Sequence, residues 1–488
     1  MLGSAPARAD IVIRNGSVID GSGSARFPAD VAIVGDRITA VGNLGRTAAT
    51  IDLDAAGHIV APGFIDVHSH DDQAVFIDPS HRPKLSQGVT TVICGNCGFS
   101  LAPLVPPRLL PQEFRLLGDD DAYRFPTVAD YAAEFGRRPA TVNVAMLIGH
   151  STLRLAAMSD LERPANDREI GVMRETLRQG LDDGAIGFST GLEYEPSRAA
   201  TTDEIVAIAE PLAAAGGIHT THARDYCHRL NQAVDEALEI GRRLGVPVVL
   251  SHFQGDGPYN YGHSTRTLPR IAAAGASQAV GLDVYPYNAA ATVIDPTFVA
   301  DADRVTITWS ESHPGMQGRD LKDIAAEWAC AEEEAARRLA PGGAIYFCQD
   351  EGDVRRILAF ADTCIGSDGL PGGRVRHPRL WGSFPRVLGH YARDVGLFTL
   401  EEAVRKMTGL SAGRFGLVGR GRVKAGYCAD LTLFDPDTVK DAATFAEPER
   451  QAIGIETVIV NGLVAWRNGR PTGERPGRFI FRDKGGRA

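Results

Sequence analysis

The middle of this chain alternates short apolar segments of β character with amphipathic helical segments, and this alternation limits the folds that it can adopt. Eight strands are predicted, at residues 64–69, 90–96, 143–150, 185–190, 217–222, 246–252, 280–286 and 361–367. Helical patterns lie between several of them, over Arg168–Asp183, Asp203–Ala215 and Leu230–Leu244. Strands and helices that alternate in this way favour an α/β fold, a (β/α)8 TIM-like barrel, over an open sheet.

Both ends of the chain have a different texture, with short β-branched runs separated by Asn-Gly and Gly-Asp turns. We therefore expect residues 1–61 and 415–488 to form one small β domain, and residues 62–414 to form the barrel. The stretch from about 288 to 345 contains Pro- and Gly-marked turns and two further helical patterns. We expect this stretch to be an insertion before the last barrel strand.

The composition argues against several classes of protein. A formal net charge of −10 argues against a binding surface for nucleic acid or for an anionic membrane. The sequence has no run of 18 apolar residues, which argues against a membrane span, and its N-terminus lacks the apolar core of a signal peptide. Seven cysteines without a disulfide pattern indicate a reducing compartment, so we expect a cytoplasmic protein.

Several polar side chains stand at the ends of predicted strands, where barrels of this kind carry their chemistry. They are His68, His70, Cys97, His222, His252 and Asp368. A single strand histidine is more often a core residue, but two imidazoles on one strand face are costly to bury unless they bind something. The six residues together predict a metal site, and imidazole with thiolate favours zinc over magnesium or calcium.

The Cys-x-x-Cys motif of Cys94 and Cys97 has other interpretations: a redox pair, half of a zinc ribbon, or packed core thiols. The remaining cysteines are solitary, so a zinc ribbon would lack its second pair, and the glycine and prolines that follow do not begin the helix of a thioredoxin-type site. Strand alternation points Cys97 and His222 to the same inner rim and turns Cys94 and His219 outward. We therefore expect Cys94 to be a packed thiol and Cys97 to be a ligand.

Longer motifs surround these residues: APGFIDVHSHDD, GVTTVICGNCGFS, GHSTLR, GAIGFSTGLEY, THARD, LSHFQ, DVYPY, GSDG and HPRLWGSFPRVLG. They resemble the amidohydrolase superfamily and, within it, the D-aminoacylase (N-acyl-D-amino-acid deacylase) family, over nearly the whole chain. The resemblance implies that the terminal β domain is a small β-sandwich and that the insertion is a lid, which would exclude water from the site.

The resemblance also implies how metals are held. One tightly bound zinc would use Cys97, His222 and His252, and a second, weaker metal position would use His68 and His70. Asp368 matches the catalytic carboxylate, which would take a proton from the zinc-activated water and pass it to the leaving amine.

Many amidohydrolases bridge two metals with a carboxylated lysine from the fourth strand. This sequence has no lysine between Lys84 and Lys322, so the central strands supply no such ligand. In D-aminoacylases the cysteine that matches Cys97 takes the bridging role, and the resemblance implies the same role here.

Other residues match substrate-binding positions of the family. Arg379 and Tyr194 would bind the α-carboxylate of the substrate, because a guanidinium can hold a carboxylate through two parallel hydrogen bonds. Tyr287 would line the pocket. Arg224 and Asp225 would form a supporting pair behind the histidine that ends the fifth strand.

Gln254 departs from the family pattern, in which a lysine stands two residues after the histidine of the sixth strand. A neutral amide does not supply that charge, so either Arg379 suffices or the preferred substrate differs from the usual N-acetyl-D-amino acids. Glu193 and Glu195 flank Tyr194. Together these residues favour neutral or apolar D-amino acids over acidic ones.

The sequence thus predicts a zinc enzyme that hydrolyses a small N-acyl-D-amino acid to a carboxylate and a free D-amino acid. A related amidohydrolase that acts on a cyclic amide or a D-configured dipeptide is the first alternative, and Gln254 is its main support. A non-catalytic amidohydrolase-like scaffold is the remote alternative, because such relatives typically lose metal ligands and here the predicted set is intact.

Overall fold

The structure, a computed structural model, describes residues 8–371 and 377–483. Its central feature is a parallel sheet of eight strands in the order β8-β7-β6-β5-β4-β3-β2-β1. The strands are β1 (Phe64–Asp66), β2 (Val89–Cys94), β3 (Asn143–Gly149), β4 (Gly187–Gly191), β5 (Ile218–His222), β6 (Val248–Leu250), β7 (Val280–Val284) and β8 (Thr363–Ile365). All eight predicted strands are present, and the predicted barrel is confirmed.

The ends of β1 and β8 meet just beyond the strands. The backbone N–H of Asp368 donates to the carbonyl of His68 at 2.8 Å, and Ser69 pairs with Gly369 in a parallel bridge. This contact closes the barrel at the rim where the predicted site residues lie.

Helices alternate with the barrel strands, and two more, Leu321–Glu327 and Glu332–Leu339, belong to the insertion described below. The α-helices of the first half are Ala74–Ile77, Arg82–Leu85, Val128–Arg137, His150–Ala157, Asp167–Asp182, Glu195–Arg198, Thr202–Ala209, Pro211–Ala215 and Leu230–Leu244. Those of the second half are Ser264–Gly275, Leu321–Glu327, Glu332–Leu339, Glu351–Ala359, Arg379–Arg386, Leu400–Met407 and Gly409–Arg414, with a π-helix at Val387–Asp394. Short 3-10 turns span Gln112–Leu116, Asp120–Ala122, Pro258–Asn260, Pro296–Asp301 and Pro314–Met316. In the described parts of the chain, no helix is long and apolar enough to span a membrane.

One predicted helix is divided. The pattern over Asp203–Ala215 forms two helices, which meet at Glu210. Pro211 has no backbone N–H to donate, and its ring disfavours an uninterrupted helix, which explains the break.

The two ends of the chain form one sheet, as predicted. Its strands are Arg8–Val18, Phe27–Val34, Arg37–Gly42, Ala48–Asp54, Ile59–Pro62, Leu431–Phe434, Ile455–Val460, Leu463–Arg467 and Arg470–Pro471. Strand Leu431–Phe434 pairs with Ile59–Pro62 and so joins the C-terminal strands to the N-terminal ones. Residues 1–7 and 484–488 of the expected domain lie outside the described residues, and the domain boundaries stay a prediction.

The insertion before β8 is also present. Strands Ala290–Val293, Arg304–Ser310 and Gly342–Phe347 form a separate antiparallel sheet, with the last of them in the middle. Its buried side chains, including Ile307, Leu321, Leu339 and Tyr346, make a core separate from that of the barrel. The insertion is therefore a small folded unit attached to the barrel.

A buried ion pair connects the terminal sheet with the barrel. Asp430 binds the guanidinium of Arg420, and its Oδ1 accepts the backbone N–H of Asn461 at 2.8 Å. The side-chain amide of Asn143, the first residue of β3, lies 3.4 Å from the same carboxylate. Removing the carboxylate would leave the Arg420 charge buried without its partner.

We expect Asp430→Ala to lower the free energy of unfolding by about 3–5 kcal/mol, the usual cost of breaking a buried pair. Chemical unfolding followed by tryptophan fluorescence measures the change. Asp36→Ala is the matched control, because Asp36 pairs with Arg478 at the exposed surface, and it should cost at most about 1 kcal/mol. Equal effects of the two substitutions would contradict the assigned role of Asp430.

Candidate metal centre

The Gly-Asn-Cys-Gly sequence at residues 95–98 forms a sharp turn after β2. The strand ends at Cys94, and φ is positive at Gly95 (79°), Cys97 (55°) and Gly98 (80°). A Cβ on Gly95 would lie 2.0 Å from the carbonyl oxygen of Leu147, so β3 leaves room only for glycine. The turn directs Cys97 into the barrel rim, while Cys94 is a buried thiol 3.7 Å from the Ser69 hydroxyl.

Cys97 lies at the centre of a cluster of imidazoles. Its Sγ is 3.2 Å from Nε2 of His68 and 3.4 Å from Nε2 of His252. Nδ1 of His222 lies 2.9 Å from Nε2 of His252. The ligand atoms of Cys97, His222 and His252 all lie within 4.8 Å of one another.

A second group of four side chains shares the same thiol. His68, His70, Cys97 and Asp368 also have their ligand atoms within 4.8 Å. Oδ1 of Asp368 is 3.0 Å from Nε2 of His70 and 3.5 Å from Nε2 of His68. Cys97 thus belongs to both groups of potential ligands, and a thiolate with imidazoles is a donor set suited to zinc.

The electrostatics of the cluster agree with a metal-binding thiolate. Burial by itself would raise the pKa of Cys97, but the neighbouring His68 and His252 lower that pKa well below its usual value. Burial opposes the charged form of His70, but hydrogen bonds to Asp368 and Cys97 raise its pKa to about 9. The negative thiolate and carboxylate are therefore balanced by positive charge, which a metal cation would supply when it replaces the imidazole protons.

Carboxylates behind the cluster orient the imidazoles. Nδ1 of His68 lies 3.1 Å from Oδ1 of Asp283, which also accepts the backbone N–H of His252 at 2.7 Å. Nε2 of His222 lies 2.9 Å from Oε2 of Glu193. Such bonds fix the rotation of a ligating imidazole. Asp283 was not predicted as a site residue, although its place at the end of the seventh strand, in the motif DVYPY, was a usable signal.

The predicted pair of Arg224 and Asp225 is wrong. The Arg224 guanidinium instead binds Glu236 on the following helix, at 2.7 and 2.8 Å. Asp225 accepts two backbone hydrogen bonds from the loop that follows it. Glu193, which we expected only at the mouth of the pocket, is the residue that supports His222.

A cavity opens beside the metal-binding cluster. Of the predicted substrate-binding residues, Tyr194, Gln254 and Arg379 line it, together with Asp368. Arg379 is 1% exposed, and its Nη1 lies 2.9 Å from Oδ2 of Asp368. Its Nη2 donates to a backbone carbonyl of the insertion at 2.9 Å. The cation and the carboxylate predicted to act on the substrate therefore meet at the same wall of the cavity.

Tyr287 is not among the residues that line this cavity, contrary to prediction. Its ring packs edge-to-face against His377, and the Arg386 guanidinium lies 4.9 Å above it. Tyr285 takes the expected place: it lines the cavity, and the Arg379 guanidinium lies 4.6 Å above its ring. Strand β7 ends at Val284, and beyond it the chain bends, so the motif alone did not show which tyrosine faces the site.

Comparison with known proteins places this geometry in a family. A model of the amidohydrolase family matches residues 53–251 and 274–465. The chain belongs to the amidohydrolase family. A D-aminoacylase of Alcaligenes xylosoxydans xylosoxydans is 50% identical over 97% of this chain and 98% of its own length. An N-acyl-D-aspartate deacylase of the same organism is 45% identical over 98% of this chain and 96% of its own length.

Solved structures of this family are similar over the same range. A crystal structure of D-aminoacylase superposes with a TM-score of 0.95 at 49% identity, covering 97% of this chain and all of that one. An N-acyl-D-glutamate deacylase of Bordetella bronchiseptica, complexed with zinc and a phosphonate inhibitor, gives 0.94 at 44% identity, with 97% of this chain and 100% of that one covered. The predicted membership of the D-aminoacylase family within the amidohydrolases is confirmed.

We expect Cys97→Ala to weaken zinc binding at least about 100-fold, because it removes the thiolate common to both groups of ligands. Zinc content after dialysis against a zinc buffer, measured by atomic emission, checks this. Cys94→Ala is the matched control and should keep its zinc, since that thiol packs against Ser69 and is absent from both groups. Retention of tight zinc by Cys97→Ala would contradict the shared-ligand arrangement.

Proposed function

We propose that this protein is a zinc-dependent N-acyl-D-amino-acid deacylase, which hydrolyses the amide bond to release a carboxylate and a free D-amino acid. The observation that carries the proposal is the sharing of Cys97 by two groups of ligands, with Asp368 in one group and Arg379 beside it. The similarity to a D-aminoacylase and to a zinc-complexed deacylase supports the same reaction.

Cys97, His222 and His252 would hold the tightly bound zinc, and His68 with His70 would hold a second, weaker metal. When bound, zinc lowers the pKa of a water molecule toward neutrality and polarises the amide carbonyl. The chain itself must then hold the amide in place and move one proton.

Asp368 is positioned for the proton transfer. Burial would raise the pKa of its carboxyl, but the Arg379 guanidinium and the neighbouring imidazoles hold that pKa well below its usual value. The carboxylate is therefore free of its proton at neutral pH. It can accept the proton of the attacking water at one oxygen and deliver it to the nitrogen of the leaving amine.

Arg379 would bind the α-carboxylate of the substrate. Its Nε has no hydrogen-bond partner among the described residues, so the buried guanidinium keeps a donor for a ligand. The Tyr194 hydroxyl, 3.0 Å from that of Thr292, lines the same cavity. A buried guanidinium with a free donor favours a substrate that carries a carboxylate close to the scissile amide.

The reducing compartment expected from the sequence remains part of the proposal. All seven cysteines are free, and five of them are buried. Free thiols in this number suit the cytoplasm, where we propose that the enzyme acts.

The first experiment compares paired N-acetyl-D- and N-acetyl-L-amino acids with apolar, polar and acidic side chains. The zinc-loaded protein should release free amino acid from D-substrates and not from their L-enantiomers, measured by chiral chromatography. Cys97→Ala should abolish the release. No turnover of either series by zinc-loaded protein would contradict the deacylase proposal.

A cyclic amide or a D-configured dipeptide is the second candidate substrate. Gln254 favours it, because the side-chain amide of Gln254 donates to the backbone carbonyl of Tyr287 at 3.1 Å and so is not directed to a substrate carboxylate. Hydrolysis of a hydantoin or of a D-dipeptide, without release from N-acetyl-D-amino acids, would select this candidate.

We expect Asp368→Asn to lower kcat at least about 100-fold, since an amide cannot accept the proton that the carboxylate transfers. Steady-state kinetics together with zinc analysis check this, and the tightly bound zinc should remain. Glu195→Gln makes the same chemical change at an exposed residue outside the cavity and should leave kcat unchanged. A kcat close to that of the unmodified enzyme for Asp368→Asn would assign proton transfer to another group.

A further inference from the structure

The cavity beside the metal centre is lined by more negative than positive side chains. Its carboxylates are Glu193, Asp256, Asp301 and Asp368, and Arg379 is the one lysine or arginine among its described lining residues. Arg379 is already engaged with Asp368. Two arginines at the outer mouth are paired elsewhere, Arg198 with Asp295 and Arg224 with Glu236. The described lining residues therefore carry more carboxylates than guanidinium or ammonium groups.

Of these carboxylates, Asp256 forms no ion pair with another described residue. Glu193 binds His222, and Asp301 accepts the Tyr259 hydroxyl at 2.8 Å and lies 4.0 Å from the exposed ring of His228. Asp256 accepts the side-chain amide of Gln349 at 2.9 Å, which is a neutral donor.

Asp256 is also partly buried. Burial raises the pKa of its carboxyl to about 6, with the Glu193 charge adding to the rise and the Gln349 bond opposing it. A partly buried carboxylate that is held by neutral donors is stabilised when a cation reaches it. Its place in the cavity wall means that a bound molecule can supply this cation.

Gln254 gives a second, independent indication. The Nε2 of Gln254 donates to the Tyr287 carbonyl, which fixes the orientation of the amide. Oε1 is therefore the amide atom that can accept a hydrogen bond from a ligand. Gln254 is 1% exposed and lines the same cavity, and its Oε1 has no hydrogen-bond partner among the described residues. A buried acceptor without a hydrogen bond is costly, and an N–H or O–H group on the ligand would remove this cost.

We propose that this cavity selects N-acyl-D-amino acids that carry a protonated amine or a guanidinium, with Asp256 as its ion-pair partner and Oε1 of Gln254 as a further acceptor. The inference rests on the proposed deacylase function and specifies its substrate class. It departs from the expectation from sequence, which favoured neutral or apolar side chains over acidic ones. The α-carboxylate stays with Arg379, and the cation lies next to Asp256.

The cation can belong to the amino-acid side chain or to the acyl group, and matched substrates distinguish these sources. Nα-acetyl-D-lysine is compared with Nα-acetyl-D-norleucine, which has a similar length without the charge. N-(3-aminopropionyl)-D-norleucine is compared with N-butanoyl-D-norleucine, which places a methyl group where the amine was. Nα-acetyl-D-glutamate tests the opposite charge.

In the unmodified zinc-loaded enzyme, we expect kcat/KM for at least one cationic substrate to exceed that of its neutral counterpart by about tenfold or more. A hydrogen-bonded contact between charged groups in a desolvated site typically has this effect. The acidic substrate should be the poorest of the series. This comparison needs no variant, so its outcome does not depend on the folding of a substituted protein.

Asp256→Asn tests the assigned residue. We expect it to lower kcat/KM for the cationic substrate about tenfold or more, while kcat/KM for the neutral counterpart changes by less than about threefold. Asp256→Glu, which keeps the charge, should keep the preference for the cation. Asp303→Asn is the matched control: Asp303 lies in the insertion outside the cavity, with its carboxylate 3.2 Å from the Tyr261 hydroxyl.

Two results would overturn the inference while leaving the deacylase proposal intact. One is turnover of neutral D-substrates at a rate equal to or above that of both cationic ones. The other is an equal loss for charged and neutral substrates in Asp256→Asn, which would assign Asp256 a structural role. Absence of turnover for every D-substrate is a different outcome, because it would contradict the deacylase function itself.

Discussion

The contact of the Cys97 thiolate with the imidazoles of His68 and His252 determines how the rim of the barrel is built. The contact requires the chain to turn sharply just past the strands. Cys97, His252 and Asp368 all have positive φ, at 55°, 32° and 47°. Such a backbone costs about 1–3 kcal/mol at each residue that is not glycine, and it persists only where the surroundings enforce it. The strain at these three residues is explained by the site, because each of them directs its side chain toward the same point.

A network of buried charges beneath the rim holds these turns in place. Lys84 is fully buried, and its Nζ lies 2.6 Å from Asp66, 3.2 Å from Asp71 and 2.6 Å from the Ser367 hydroxyl. Asp66 ends β1, whereas Ser367 follows β8 and donates its backbone N–H to Asp66 at 2.8 Å. The network thus joins the first and last strands next to His68 and Asp368. Loss of one charge would leave others buried without partners and would disturb both strand ends.

The strands could be read from the sequence because eight apolar runs between helices leave little choice of topology. Strand alternation, on which the prediction of the site relied, explains the direction of only some of its side chains. Strand alternation was used to orient Cys97, yet β2 ends at Cys94 and the turn with positive φ sets its direction; His222 lies within its strand. Contacts that depend on bends or on long side chains were not predictable from spacing, which explains the exchange of Tyr287 for Tyr285 and the binding of Arg224 to Glu236.

The metal centre and the far wall of the cavity come from different parts of the chain. The candidate ligand side chains lie at or just past the ends of barrel strands, whereas Thr292, Phe298, Asp301 and Tyr346 belong to the insertion. The insertion has a core of its own, so a substitution on its inner surface can change the wall without altering the packing of the barrel. The part of the wall that the insertion supplies can therefore change independently of Cys97, whereas Gln254 and Asp256 lie in the loop that also contains His252. Under the proposed function, the charged and polar side chains of the cavity wall, rather than the metal ligands, set which D-amino acid is accepted.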